Sequence, residues 1–440
     1  MFDVNLKIIS ELKSFLFFTI SDKRLLKYFS VSDKDFTRSR KLPFEKVVVL
    51  IVKLCKKTLS FEIDSFFEDI GCSVTCSVSA FSQQRLKLAP IFYACWNKVL
   101  VNSFYHYSAS EIKRWKGYRI IAADGSNISL INNEALREYF GGQSNQSCYF
   151  VQAKTFYHYD VLNELILLSD IEPYRYGEMK MAIKAINEIE TDMLTIYDRN
   201  FGNYRLIALH LWQEKERKFI IRANERYDWI KKFIATGKQS LVVTIYPSLT
   251  MIEGLKKSGF IVTKETGIEV RLIRVELEKG IEILITNLWE EEGHCADEFK
   301  ELYNMRWGVE TNISVQKNIL QLESFSGLSV EAVLQDFYAT ILVTNLHSVI
   351  IKDAQQTAEK TMGTRKYPVK INKNKSFGKL KINIVKLFTN EQPEVILKLL
   401  HNHFIRDVVP IRKGRSFPRI KINHQSKSKF KTYSNFKPAY

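Results

Sequence analysis

The order of strand-like and helix-like segments between residues 116 and 224 is the feature that most constrains the fold. Apolar runs predict one strand in GYRIIAADGSNISL, two in AKTFYHYDVLNELILLSDIEP, one in DMLTIYDRNF and a last one in KFIIRAN. Between them, EMKMAIKAINEI and YRLIALHLWQEKE have the periodicity of amphipathic helices. The resulting order, β-β-β-α-β-α-β, predicts an α/β fold with a mixed sheet and helices on its faces.

Two carboxylates stand at the ends of strands that such a fold places side by side. The order is the ribonuclease H-like arrangement, in which the first and fourth strands are neighbours. Asp124 is expected to end the first strand, with the chain turning back through Gly125, and Asp198 to end the fourth. Alone, Asp124 could be a turn residue, and Asp198 a helix N-cap or an ion-pair partner of Arg199. Reserve candidates that also end strands are Asp160 and Asp170.

The stretch YNMRWGVETNISVQK supplies a third acid. At helical spacing its polar residues Tyr303, Arg306, Glu310 and Lys317 are predicted to share one helix face. Such a stripe can also be solvated and salt-bridged. Glu310 beside the two aspartates would complete a site for two hard cations, because Mg²⁺ prefers oxygen ligands and paired ions serve phosphodiester chemistry. Three carboxylates this close raise one another's pKa unless cations hold them.

The chain divides into regions that differ in predicted secondary structure and in charge. The predicted regions are a helical N-terminal DNA-binding region (1–112), the first part of the core (113–224), a β-strand insertion (225–292), the last part of the core (293–352), and a C-terminal region with a basic tail (353–440). A short helix, the turn GCSVTCSVS and a helix opening at Ser79 suggest a helix-turn-helix at about 60–95. Arg85 and Lys87 would contact DNA there, although an ordinary helical pair explains the pattern equally well.

Net charge and composition indicate a soluble protein with a polyanionic partner. The net charge is +17, and ten Lys or Arg residues lie between Arg406 and Tyr440 against one acid, Asp407. Such tails bind phosphate backbones, although a solubilising role is the alternative. The six cysteines are scattered without zinc-site spacing, which predicts free thiols in a reducing compartment. The most apolar run, VVVLIVKLC, is too short to span a bilayer, so a cytoplasmic location is expected.

Three motifs together resemble DDE transposases of the insertion-sequence-four superfamily. AADGSNISL resembles the family's first Asp block, and YDRNFGNYRL resembles its D-R-x-F-x-x-Y-x-L block. The third motif, Y-x2-R-x3-E-x6-K, is present without a gap from Tyr303 to Lys317. The resemblance covers roughly residues 115–350. It implies that Asp124, Asp198 and Glu310 are catalytic and bind two Mg²⁺ ions, for which Mn²⁺ can substitute.

The same resemblance implies DNA contacts and an activity. Arg306 and Lys317 would clamp phosphates, with Tyr303 as a further contact. Trp307 matches a family tryptophan, and Trp289 is a looser candidate for holding a flipped base, with core packing as the alternative. The implied reaction is cleavage at terminal inverted repeats and joining of 3′-hydroxyls to target DNA by a nucleoid-associated homodimer. Two alternatives are a metal-dependent nuclease on the same fold and a non-catalytic DNA-binding protein derived from a transposase.

Overall fold

The computed structural model of the 440-residue chain describes residues 2–38, 40–54, 57–146, 148–278, 280–361 and 366–412. The described residues belong to two compact units. The first contains Met1–Ile112, Ile128–Ala153 and Ser314–Tyr440, and the second contains Lys113–Asn127 and Lys154–Ile313. Most of the predicted basic tail, from residue 413 onward, lies outside the described residues.

Helices and strands have the following bounds. The α-helices are α1 (Phe2–Ser21), α2 (Lys23–Tyr28), α3 (Phe44–Lys53), α4 (Leu59–Asp69), α5 (Val78–Arg85), α6 (Ile91–Tyr107), α7 (Glu134–Phe140), α8 (Glu178–Lys184), α9 (Tyr204–Leu211), α10 (Asp228–Ala235), α11 (Leu249–Lys256), α12 (Phe299–Asn304), α13 (Trp307–Asn318), α14 (Val330–Thr361), α15 (Lys373–Thr389) and α16 (Pro393–Arg406). The strands are β1 (Arg119–Ser129), β2 (Gly142–Ser144), β3 (Tyr149–Asp160), β4 (Leu165–Pro173), β5 (Met193–Tyr197), β6 (Lys218–Arg222), β7 (Ser240–Ile245), β8 (Ile268–Leu277), β9 (Gly280–Thr286), β10 (Val369–Ile371) and β11 (Val408–Pro410). Short 3-10 turns are Ala109–Glu111, Tyr174–Tyr176, Ala185–Glu188, Arg199–Phe201 and Ala296–Glu298.

The main sheet confirms the predicted fold class. Its order is β2-β3-β1-β5-β6-β9-β8-β7, with β4 also paired to β3. Strands β1, β5 and β6 are parallel neighbours, so β4-β3-β1-β5-β6 has the order of a ribonuclease H-like sheet. The β-rich segment joins this sheet, because β9 pairs antiparallel with β6 and continues through β8 to β7.

Alternation along the strands builds two apolar layers in the second unit. Ile121, Tyr197 and Ile221 face a cluster that includes residues of α8 to α11. Their neighbours Ile120 and Ile196 face the opposite cluster, to which α12 contributes. Strand residues point alternately to the two faces, so a run of consecutive apolar residues is buried on both sides.

The first unit is mostly helical. Its longest helix, α14, is largely buried and contacts α1, α3, α6 and α16. Two hydrogen bonds between buried side chains and distant segments stabilise this unit: Trp96 Nε1 donates to the carbonyl oxygen of Leu12 at 3.0 Å, and Asn345 Nδ2 donates to Asn97 Oδ1 at 2.8 Å. The described cysteines, which are Cys72, Cys76, Cys95, Cys148 and Cys295, are free thiols, as predicted. Among the described residues, no helix is long and apolar enough to cross a membrane.

Two predicted elements differ from the structure, and two observed elements were not predicted. Strand β1 does not end at Asp124 but continues to Ser129. The segment predicted as one helix from Ser79 is divided into α5 and α6 by a turn that ends at Pro90, because proline lacks the N–H that an interior position must donate. Helix α7 and strand β2 were not predicted.

The Y-x2-R-x3-E-x6-K stretch is also divided. It lies on α12 and α13, and Arg306 occupies the turn between them. Backbone bonds of the tighter i to i+3 type, from Arg306 N to Tyr303 O and from Gly308 N to Met305 O, interrupt the helix. A Cβ at Gly308 would lie 2.9 Å from Val161 Cγ1, so only glycine permits this close packing. The prediction of one continuous helix face is therefore wrong.

Candidate active site

The candidate site lies at one border of the sheet in the second unit, where strands β5 and β6 end and the neighbouring β1 continues past them. The register pairs Tyr197, the last residue of β5, with Ala123 of β1 and with Ile221 of β6. Adjacent strands lie about 4.8 Å apart. The residues that follow these paired positions are therefore neighbours, and they are Asp124, Asp198 and Arg222. We call this border the carboxylate edge.

Asp124 is mostly buried at the carboxylate edge, with 17% of its side chain exposed. Its Oδ1 accepts a hydrogen bond from the Gly125 N–H at 2.8 Å, and its Oδ2 lies 3.7 Å from Arg306 Nη1. Burial raises the pKa of Asp124 to about 7. The Gly125 N–H and Arg306 oppose this rise in pKa, whereas the negative charges of Asp198 and Glu310 add to it.

Asp198 caps the 3-10 turn Arg199–Phe201. Its Oδ1 accepts a hydrogen bond from Asn200 N at 2.8 Å, so the capping role considered as an alternative is present. Burial raises the pKa of Asp198, and the charge of Glu178 adds to this effect while Arg306 opposes it. A cap uses one carboxylate oxygen, and this role is compatible with a second role for the same side chain.

Arg306 links the acids. Its Nη2 donates to Glu310 Oε1 at 2.6 Å, and only 9% of its side chain is exposed. The guanidinium carbon lies 5.9 Å from the ring centre of Tyr303 and 5.1 Å from that of Trp307. Arg306 Nε is buried and has no hydrogen-bond partner among the described residues. A permanent cation thus lies among three acids with one donor unsatisfied.

The acids at the carboxylate edge fit a hard cation by chemistry. Within the described part of the chain, no group of three or more His, Cys, Asp or Glu side chains is arranged closely enough to hold a metal ion. The donors nevertheless include the carboxylates of Asp124, Asp198 and Glu310, and oxygen ligands are those that Mg²⁺ prefers. The raised pKa of Asp124 indicates that Arg306 alone leaves the negative charge incompletely balanced.

Three residues of this region were missed by sequence reasoning. Arg222 ends β6 beside Asp198, and its Nη1 lies 2.9 Å from Glu282 Oε1. Glu178 begins α8, and its side chain packs next to Gly125. The Nζ of Lys154 lies 3.0 Å from Glu178 Oε1. The parallel order of β1, β5 and β6 would have found Arg222 from sequence. Glu178 and Lys154 carried no comparable pattern.

The structure places Trp289 away from the three acids, and its base-holding role stays a prediction. Thr286 of β9 pairs with Ile220 of β6, so the chain beyond β9 leaves the sheet near Lys218, where β6 begins. Lys218 Nζ donates to the carbonyl oxygen of Asn287 at 3.1 Å. Lys218 and Arg222 are the first and last residues of β6, four steps apart along the strand, which corresponds to about 13 Å. We call the border formed by Lys218 and the segment from Asn287 to His294 the loop edge; Trp289 belongs to it and is remote from the three acids.

The other residues of the third motif have mixed outcomes. Tyr303 is only 5% exposed, and burial raises its pKa to about 12; its role as a DNA contact stays a prediction. Trp307 is 51% exposed, which leaves its ring accessible for stacking. Lys317 lies further along α13, in the first unit, where its ammonium is 3.7 Å from Glu323. Its role as a phosphate contact stays a prediction.

The structure contradicts the predicted DNA contact of Arg85. This residue is 2% exposed, and its guanidinium donates to Gln335 Oε1, Ser326 Oγ and Asp336 Oδ1 at 2.8 to 3.0 Å. A helical arginine can serve a buried network as well as a phosphate, and spacing alone does not separate the two. Lys87 lies beyond the end of α5 and donates to Gln84 at 3.0 Å; its DNA contact stays a prediction.

Comparisons with known proteins identify a family and show similarity to solved structures. The family model described as Transposase DDE domain matches residues 115–346, which is more than half of the chain. No curated protein matches. A solved structure described as the piggyBac transposase synaptic complex with hairpin DNA is similar at 12% sequence identity and a TM-score of 0.40, over 89% of this chain and 80% of that one.

Proposed function

The chain belongs to the family of transposase DDE domains, and on that premise we propose that it cuts DNA at the ends of a mobile element and joins the freed 3′-hydroxyls to target DNA. The observation that carries the proposal is the strand register, which makes Asp124 and Asp198 neighbours, with Glu310 joined to Asp124 through Arg306. The uninterrupted spacing of Y-x2-R-x3-E-x6-K supports the insertion-sequence-four superfamily within that family.

Asp124, Asp198 and Glu310 would hold two Mg²⁺ ions, or Mn²⁺ in their place. Such ions activate the attacking oxygen and stabilise the leaving oxygen in phosphodiester chemistry. Hydrolysis breaks the bond between phosphorus and the 3′-oxygen, and the 3′-hydroxyl released then attacks a phosphodiester of the target.

Arg306 supplies the fixed positive charge at this site. Its guanidinium is held by Glu310 on one side and by the ring of Trp307 on the other, so its position is set before DNA arrives. The unsatisfied Nε–H and the charge match the geometry with which arginine binds a phosphate group. Trp307 would stack on a base next to that phosphate, and Lys317 would contact the backbone further along the DNA.

The proposed partners are DNA and a second copy of the chain. The net charge of +17 favours binding to the phosphate backbone with a strong dependence on salt. Recognition of terminal inverted repeats, a homodimer that pairs two ends, and association with the nucleoid follow from the proposed reaction.

The test is a joining assay with labelled DNA ends. The duplex carries the terminal repeats that flank the gene, and a supercoiled plasmid serves as target in Mg²⁺ buffer. Cleavage at the repeat boundary with covalent joining to the plasmid is the expected result. Cleavage without joining would indicate a nuclease on the same fold, and binding without cleavage would indicate a DNA-binding protein derived from a transposase.

A further inference from the structure

A fourth acid, Glu178, packs directly against the backbone beside Asp124. A Cβ built at Gly125 would lie 2.5 Å from Glu178 Cγ and 2.6 Å from its Cδ. A side chain at position 125 would displace the Glu178 side chain from its observed place, so Gly125 permits the observed packing. The carboxylate of Glu178 is also near enough to Asp198 to influence its pKa.

Lys154, on β3, is held at the same place by this acid. Its Nζ donates to Glu178 Oε1 at 3.0 Å, and it lies 5.4 Å from the ring centre of Tyr174. The side chains of Lys154 and Glu178 are 18% and 25% exposed. The ammonium is therefore held in a mostly buried but still partly exposed position, and an ammonium has three N–H donors, of which this bond uses one.

Arg306 and Lys154 approach the acids from different elements of the fold. Arg306 reaches them from the turn before α13 and bonds Glu310. Lys154 reaches them from β3, the strand next to β1, through Glu178 and Gly125. A phosphodiester drawn to the carboxylate edge would be repelled by the acids, so fixed cations near its path lower the cost of bringing it there.

We propose that Lys154 binds a DNA phosphate next to the cleaved bond and that Glu178 is the positioning residue that holds the Lys154 ammonium there. The inference rests on the proposed function and adds a second phosphate-binding residue to the site, on a different element of the fold from Arg306. Lys154 donates one N–H to Glu178 and another to a phosphate oxygen. No covalent step involves either residue.

The test combines protein variants with DNA that carries a single uncharged methylphosphonate. Single-turnover cleavage is measured at saturating DNA, and DNA affinity is measured separately in Ca²⁺. Lys154→Gln is expected to slow cleavage about 10- to 100-fold, the range for a lost hydrogen bond to a charged group, with a smaller loss of affinity. One methylphosphonate near the cleaved bond should slow wild-type cleavage by a similar factor and leave Lys154→Gln no slower than it already is.

Lys180→Gln is the matched control. Lys180 is exposed on α8, the helix that also carries Glu178, and lies beside the ring of Tyr176, so the variant removes one lysine charge near Glu178 without removing the Lys154–Glu178 pair. It should cut at the wild-type rate. Glu178→Ala should slow cleavage as Lys154→Gln does, whereas Glu178→Gln, which keeps an acceptor for Lys154, should retain most of the rate. Melting temperatures of all variants establish that they are folded.

Several outcomes would overturn the inference. These are wild-type cleavage by Lys154→Gln, equal slowing by Lys180→Gln, and additive effects of Lys154→Gln with every methylphosphonate. If Lys154→Gln does not fold, the comparison of Glu178→Ala with Glu178→Gln decides, because equal rates for the two contradict the positioning role. Failure of the wild-type protein to cut DNA would refute the proposed function and this inference together. Normal cutting and joining by the wild type, with unchanged cleavage rates in the Lys154 and Glu178 variants, would refute this inference alone.

Discussion

Both borders of the sheet in the second unit carry buried charged side chains. The two borders differ in how completely those side chains find hydrogen-bond partners within the protein. At the loop edge, Arg271 is 1% exposed and donates to Ser240 Oγ, Glu290 Oε2 and the carbonyl oxygens of Leu288 and His294. Every nitrogen of that guanidinium has a protein acceptor. Such a buried cation fixes the path of a loop and leaves nothing for a ligand to complete.

The carboxylate edge leaves its charges incompletely balanced. Burial and neighbouring acids keep the pKa of Asp124 near 7, and Arg306 Nε has no partner among the described residues. Groups in this condition cost stability unless something else compensates them, and they concentrate at functional sites. The comparison therefore contrasts Arg271, whose guanidinium is fully bonded within the protein, with Arg306 and its neighbouring acids, which are not, and the following substitutions test that contrast.

The largest effect is expected from neutralising the acids. Asp198→Asn and Glu310→Gln should each lower cleavage by about a thousandfold or more, because each removes a charge assigned to stabilising the transition state. Affinity for end DNA in Ca²⁺ should change little, since the acids are not assigned to holding the duplex. Glu290→Gln at the loop edge is the control and should keep wild-type cleavage. Near-normal turnover by Asp198→Asn would remove that residue from the site.

The next effect concerns stability at the loop edge. Arg271→Met should lower the free energy of unfolding by about 3 kcal/mol, because it leaves buried acceptors of the loop without donors. Arg274→Met on the same strand is the matched control, since Arg274 pairs with the exposed Glu276 and such pairs contribute about 0 to 1 kcal/mol. Urea titrations measure both. The folded fraction of Arg271→Met should cut DNA normally, and a specific loss of cleavage would mean that the two borders are not independent.

Some residues of the two borders could be predicted from the sequence, and others could not. Asp124 and Asp198 could be predicted because each follows an apolar strand, and parallel neighbours bring such positions together. The direction of β9 could not be derived, so the position of Trp289 relative to the three acids could not be predicted. Arg85 was assigned to DNA because the sequence pattern of a basic residue on a short helix is the same whether its side chain faces solvent or a buried acid such as Asp336. The break at Arg306 depends on Gly308 packing against Val161, a contact that spacing does not reveal.

A smaller effect, of opposite sign, is expected for Asp124→Asn. The pKa of Asp124 is raised from 3.8 to about 7, so folding favours its neutral form. The wild-type protein should lose stability relative to Asp124→Asn as pH rises from about 4 to 7, with a constant difference above that range. At pH 8 without divalent cations the variant should be more stable by on the order of 2 kcal/mol. Thermal unfolding at pH 4 and pH 8 measures the difference. A variant less stable than the wild type at pH 8 would contradict the claim that the charged form of Asp124 destabilises the folded protein.

The smallest effect separates the two tryptophans. Trp307→Ala should weaken binding to DNA with an unpaired end base by about 1 to 2 kcal/mol, the range for loss of one stacked base. Trp289→Ala should bind the same DNA as the wild type does, because Trp289 belongs to the loop edge. Fluorescence anisotropy with a labelled end duplex measures both affinities. The opposite ranking of the two variants would place the DNA end at the loop edge.

The most direct test of the central claim is to map where a divalent cation binds. Fe²⁺ in place of Mg²⁺, with ascorbate and peroxide, cleaves the polypeptide near the bound ion, and mass spectrometry locates the cuts. The loop edge offers a natural competitor in Glu290, Glu291 and Glu292. The account predicts cuts close to Asp124 and Asp198 that disappear with excess Mg²⁺ and in Asp124→Asn. Cuts confined to residues 287–294, or unaffected by Asp124→Asn, would contradict it.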